Sequence, residues 1–168
     1  MTSLAVARKT KGAGAAPCGV PPATPEELRA YIPYLVNRLS NRISADQNRF
    51  LATIGLNNAA FRTLSVLHIY ETLTVNEISV LAVIEQSSAS RTIDQMLEIG
   101  LVTRRNGAQD QRRREVALTR EGLALLRKVW PQVAERAERL TEGISREEID
   151  ICASVLSRMI DNVRKHDL

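Results

Sequence analysis

Apolar residues recur at spacings of three and four from Leu28 through Ile32, Leu35, Leu39 and Ile43, which predicts one apolar face of a long helix. Its start reads from Thr24-Pro25-Glu26-Glu27: a capping threonine, a proline at the first helical position and a glutamate that completes a capping box. Pro33 predicts a kink early in that helix. Gly55 is read as its C-cap, and Asn57 as the cap of a second helix over residues 58–70. A second box, Thr74-Val75-Asn76-Glu77, opens a short helix to about residue 83. After a turn at residues 84–86, a further helix over 87–99 stops at Gly100. Two strand-like runs follow, 101–105 and 115–118, and the Asn106-Gly107 step between them marks a turn. Thr119 caps a long helix and Ser145-Arg146-Glu147-Glu148 opens the last one. The pattern predicts a mainly α fold of the α+β winged-helix type, with six helices and a two-stranded β-wing.

On the long helix, Leu123, Leu126, Trp130, Val133, Ala137 and Leu140 alternate spacings of three and four, a heptad seam. Cys152, Val155, Met159 and Val163 repeat the spacing on the last helix. Packing within one chain is one reading of these seams. The other, preferred here, is subunit association, because little chain remains to cover both.

Composition narrows the class. Of 168 residues, 44% are apolar and 25% charged, as in ordinary globular proteins. No apolar run is long enough to span a membrane, and the residues after Met1 lack the apolar stretch of a secretory signal. With only Cys18 and Cys152, a disulfide framework is excluded and a cytoplasmic, non-membrane protein is expected. Two histidines and two scattered cysteines predict no metal site and no cofactor. The net charge of +4 is unevenly spread. Residues 1–24, rich in Ala, Gly and Pro, carry Arg8, Lys9 and Lys11 without an acid and are read as a disordered tail. Residues 99–114 hold five arginines against Asp110, a focused patch more informative than a basic average.

That patch sits in a short helix, turn, helix and hairpin, the order of a winged helix. The second helix opens with Ser87-Ser88-Ala89-Ser90-Arg91, whose small hydroxyls permit close approach to bases and phosphates. Arg91 and Gln95 share a face. At the hairpin tip, Asp110-Gln111-Arg112-Arg113-Arg114 places guanidinium groups where no core could use them. An arginine there suits the negative potential of a narrow minor groove, and Asp110 would hold Arg112 by a charge-assisted bond. Capping alone and a solvated charged turn are the plainer readings of the two segments. The candidate DNA contacts are therefore Ser87, Ser88, Ser90, Arg91, Gln95, Asp110, Arg112 and Arg113.

Thr74 to Ile78, Ser87 to Arg91, Gly100-Leu101-Val102-Thr103-Arg104-Arg105, Asp110-Gln111-Arg112-Arg113 and Leu118-Thr119-Arg120-Glu121-Gly122 together resemble the MarR family of bacterial transcription regulators. The resemblance covers about residues 25–168. It implies a homodimer built on residues 25–55 and 119–168, a winged-helix DNA-binding lobe over 57–118, and a pseudo-palindromic double-stranded operator. It further implies release of DNA when a small ligand binds between the dimer helices and the lobe. Two positions depart from the family pattern: Val83 stands where glycine is usual, and Ala60 where glutamine is common.

Candidate effector contacts follow from the same placement. Arg38, Arg42 and Arg49, with Asn37 and Asn41 beside them, follow one face of the first helix, and His68 lies in the second. A cationic cleft would take an anion such as an aromatic acid or its CoA thioester, and the Tyr34-to-Ser40 run resembles family members that sense aromatic catabolites. A solvated basic face accounts for the same residues. The expected function is a ligand-responsive repressor of a catabolic or efflux operon and not an enzyme, since no nucleophile–base pair or phosphate loop is present. The alternatives are redox sensing through Cys18 or Cys152 and a winged-helix module for protein assembly.

Overall fold

A computed structural model describes residues 19–106 and 114–165. The chain divides after Gly55 into two compact units. In the first, helix α1 (Pro25–Ala30) is followed by helix α2 (Ile32–Ala52). Thr24 caps α1, its hydroxyl accepting the Glu27 amide at 3.1 Å, while the Glu27 carboxylate accepts from the Ala23 amide at 2.7 Å. One expectation is corrected here. The helix does not kink at Pro33 but breaks at Tyr31, which is extended at φ −81°, ψ 107°. Pro33 has no N–H for the Arg29 carbonyl and its ring would collide with it, so the backbone restarts with proline in the new first turn. Among the described residues there are accordingly seven helices. Ile32, Leu35, Leu39 and Ile43 form the expected stripe on α2 while the break leaves Leu28 on α1, and each of the five is 37–48% exposed.

The second unit holds helix α3 (Asn58–Tyr70), strand β1 (Thr72–Leu73), helices α4 (Val75–Leu81) and α5 (Gln86–Glu98), strands β2 (Val102–Asn106) and β3 (Arg114–Leu118), and helices α6 (Arg120–Leu140) and α7 (Arg146–Lys165). Four of the predicted caps form here. Asn57 Oδ1 accepts the Ala60 amide at 2.8 Å, the Thr74/Glu77 box closes in both directions, and Thr119 Oγ1 accepts the Gly122 amide at 3.0 Å. The Ser145/Glu148 box closes likewise, and the serine's two bonds hold the Glu148 carboxyl below its ordinary pKa. The sheet has three antiparallel strands in the order β1-β3-β2, one more than the hairpin predicted. Thr72 pairs with Ala117 and Leu73 with Val116. Two residues are too short a run to show a strand period.

The core gathers Leu64 and Leu67 of α3, Ile78 of α4, Ile93 and Met96 of α5 and Val116 of β3, none more than 1% exposed. Leu126 and Val129 close it from the first half of α6. Two helix ends position the lobe. At the end of α5 the Leu101 amide bonds back to the Met96 carbonyl and the Gly100 amide to Leu97, with Gly100 at φ +72°. At the end of α4 the same pair of bonds runs from Ile84 to Ser79 and from Val83 to Val80, but the left-handed residue is Val83, at φ +54°. Thr119 then ties α6 to the α5 terminus: its amide donates to the Leu101 carbonyl at 3.1 Å and its hydroxyl to the Gly100 carbonyl at 2.7 Å. Gly122 lies against the Leu101 carbonyl so closely that a Cβ would overlap it. Beyond Pro131, which lies inside α6, side chains become exposed or half-buried, and no residue of 146–163 in α7 is buried.

Candidate nucleic-acid interface and adjoining cavity

Helix α5 has two distinct faces. Ala89, Thr92, Ile93 and Met96 point into the core, whereas Gln86, Ser87, Arg91, Asp94, Gln95 and Glu98 are exposed. The sequence-predicted Arg91 and Gln95 therefore stand together on the outward face, Ser87 flanks them at the first turn, and Ser88 and Ser90 are half-buried at its margin. Ser87 Oγ donates to Glu85 Oε1 at 2.6 Å, so the N-cap residue holds one hydroxyl of the triplet. Glu85 makes no side-chain cap bond to the helix itself. The turn before α5 is braced from α3, where Arg62 Nη1 donates to the Val83 carbonyl at 3.4 Å.

The hairpin that follows runs in register from Val102↔Leu118 to Asn106↔Arg114. Its arginines Arg104, Arg105 and Arg114 are exposed. Arg105 stands opposite Glu115, while Arg104 reaches α5 and meets Asp94 Oδ1 at 2.7 Å. The tip, with Asp110, Arg112 and Arg113, lies outside the described residues. Neither the Asp94 contact nor the Arg62 brace was predicted. Asp94 lies three residues after Arg91, on the same helix face, and that spacing was the signal available.

His68 opens a second feature. It lines a cavity of about 420 Å³ between α3 and α6, with Ser65 and Ile69 on one side and Leu126, Arg127 and Trp130 on the other. Trp130 stacks on the buried Phe61, with centroids 6.2 Å apart and planes 20° from parallel, so its ring is held while half its surface stays open. Ser65, Arg127 and Pro131 were not predicted here. The proline, which cannot donate to the Arg127 carbonyl, lies on the cavity wall. The four α2 candidates are all exposed: Arg38 Nη1 donates to Tyr34 Oη at 3.1 Å and lies over its ring, and Asn41 Nδ2 donates to Asn37 Oδ1 at 3.3 Å. Arg42 is exposed on the same helix.

Cys152 is a free, exposed thiol on α7, and Cys18 lies outside the described residues. Among the described residues no group of three His, Cys, Asp or Glu could hold a metal, and no helix is long and apolar enough to cross a membrane.

Comparison with known proteins agrees with this arrangement. The family model described as MarR family matches residues 54–113, from the end of the first unit through the hairpin tip. A MarR family transcriptional regulator from Silicibacter pomeroyi is 34% identical, with 83% of this chain and 94% of that chain covered at a TM-score of 0.78. The chain belongs to the MarR family. Two more distant proteins share its fold. The Staphylococcus aureus regulator MepR, solved as a complex with DNA, is 23% identical, with 80% of this chain and 98% of that chain covered at a TM-score of 0.70. Bordetella bronchiseptica BpsR, described in relation to regulation of its DNA binding by 6-hydroxynicotinic acid, is 22% identical, with 76% and 97% covered at 0.67. As a MarR-family member the protein is a transcriptional regulator, and its winged helix is the mainly helical fold of that family.

Proposed function

We propose that this MarR-family regulator is a homodimeric, ligand-responsive repressor that binds a pseudo-palindromic operator through α5 and the wing. The observation that carries the reading is the outward face of α5. Arg91 and Gln95 contribute nothing to the core, yet stand on the helix that leads into an arginine-bearing hairpin. In the major groove, Arg91 and Gln95 would read base edges while Ser87, Ser88 and Ser90 approach the backbone. Arg112, partnered by Asp110, would enter the minor groove, with Arg113 on phosphate.

The proposed effector is a small aromatic acid or its CoA thioester, and the regulated genes a catabolic or efflux operon. The cavity supports this: a stacked tryptophan and Leu126 suit a planar ring, and Arg127 and His68 at its wall suit a carboxylate. BpsR, with its hydroxylated aromatic acid, supports the same chemistry. By itself, the exposed basic face of α2, with Arg38 and Arg42 beside Asn37 and Asn41, is a second candidate for an anionic group such as a phosphate.

The test is fluorescence anisotropy on the duplex upstream of the protein's own gene, titrated with aromatic acids and their CoA thioesters. Operator binding should show a slope of about −0.9 in log affinity against log salt for each phosphate neutralised. Arg91→Ala and Arg112→Ala should each cost about 1–3 kcal/mol. An acid that releases DNA from the wild type should lose potency in Trp130→Ala and Arg127→Ala, whose DNA affinity is kept. A flat salt profile would overturn the reading in favour of an assembly module. Release by peroxide but by no acid would overturn it in favour of cysteine-based sensing.

A further inference from the structure

The Arg104–Asp94 contact joins two elements that the sequence separates by a helix terminus and a turn. Strand alternation places Arg104 on the same face of the hairpin as Val102 and opposite Val116, both buried. Its side chain therefore leaves the hairpin from the core-facing side and extends over α5. There Nη2 meets Asp94 Oδ1 at 2.7 Å, with the two side chains 39% and 53% exposed. An exposed pair of this kind contributes little to stability. Its location gives it another role. Asp94 is an acid on the outward face of α5, between Arg91 and Glu98, and a bare carboxylate there would repel the phosphates that the face approaches.

We propose that Arg104 and Asp94 are positioning residues for DNA reading, a role that rests on the function proposed above. The pair has two consequences. It sets the angle of the wing against α5, so that helix and hairpin meet adjoining grooves as one body. It also commits the Arg104 guanidinium to Asp94, which masks the carboxylate and keeps the arginine off phosphate. Sequence-independent affinity stays low, and discrimination is correspondingly high.

The experiment compares the full-length wild type with Arg104→Ala, Asp94→Asn and the double variant on operator and random-sequence duplexes across a fourfold range of salt, with melting curves alongside. Asp94→Asn frees Arg104 for a phosphate. Its random-duplex slope should steepen by about 0.9, equivalent to an additional affinity loss of about 3.5-fold over that salt range, and its operator-to-random ratio should fall. Arg104→Ala should weaken both duplexes, and adding Asp94→Asn should restore random-duplex affinity without restoring the ratio. The inference is overturned if Asp94→Asn leaves slope and ratio at wild-type values, or if the double variant binds random duplex no better than Arg104→Ala. Asp94→Asn alone decides the matter should the alanine variant melt early. Wild-type protein that binds neither duplex would instead overturn the DNA reading itself.

Discussion

Val83 and Gly100 end their helices with the same two closing hydrogen bonds, at φ +54° and +72°. Glycine adopts that region freely, while a β-branched residue pays steric strain of about 1–2 kcal/mol. Val83 is also 77% exposed, so little packing offsets the strain. Val83→Gly should raise unfolding stability by about 1 kcal/mol, the strain relieved less the added backbone entropy of glycine. Urea denaturation measures it, and an unchanged or lower midpoint would contradict the assignment. Gly122 is the opposite case. Its φ is not left-handed, and it is glycine because the Leu101 carbonyl occupies the space of a side chain. Gly122→Ala must push α6 from the end of α5 and should cost roughly 3 kcal/mol by overpacking, read as a lowered Tm. Both glycine-type positions were visible in the sequence, Val83 as a departure from the family pattern. Which of them was conformational and which steric was not, since backbone proximity across 21 residues leaves no local trace.

At the scale of elements, the caps were the most legible feature. Asn57, Thr74, Thr119 and Ser145 each satisfy the amides they were expected to, because a cap is a contact over three residues. The box at α7 carries a pH consequence. Hydrogen bonds from the Ser145 hydroxyl and amide lower the Glu148 pKa. The stabilisation they lend is therefore present above the ordinary glutamate pKa and is lost as pH falls through the lowered folded value. Ser145→Ala should shift the Glu148 titration midpoint upward, measured by carboxyl NMR, and the first turn of α7 should fray at higher pH than in the wild type. Less legible was β1, whose two residues gain strand geometry only from the partner β3 supplies. The break at Tyr31 was half legible: Pro33 announced an interruption, but whether a proline bends a helix or starts a new one depends on its neighbours.

At the scale of the whole molecule, α2 and α7 carry apolar side chains that their own units leave open. On α7, Leu156 is 39%, Ile160 54% and Val163 46% exposed, three apolar residues of one helix face left open to water. These faces support the homodimer proposed above. Leu156→Glu combined with Ile160→Glu should shift the protein from dimer to monomer in sedimentation velocity and cut operator affinity, since one half-site would remain per molecule. A wild-type protein that sediments as a monomer would remove the dimer from the proposal.

Local chemistry, then, settled what lies within a few residues of itself: helix periods, caps and the two strands of the wing. These depend on side-chain spacing and turn residues, which a sequence displays directly. Tertiary structure alone decided that Asp94 receives Arg104 from a hairpin ten positions on, and that Ser65 and Arg127 join Trp130 in a cavity around His68. Each of those is a meeting of elements whose approach is set by the packing of a shared core, and no spacing along the chain encodes it.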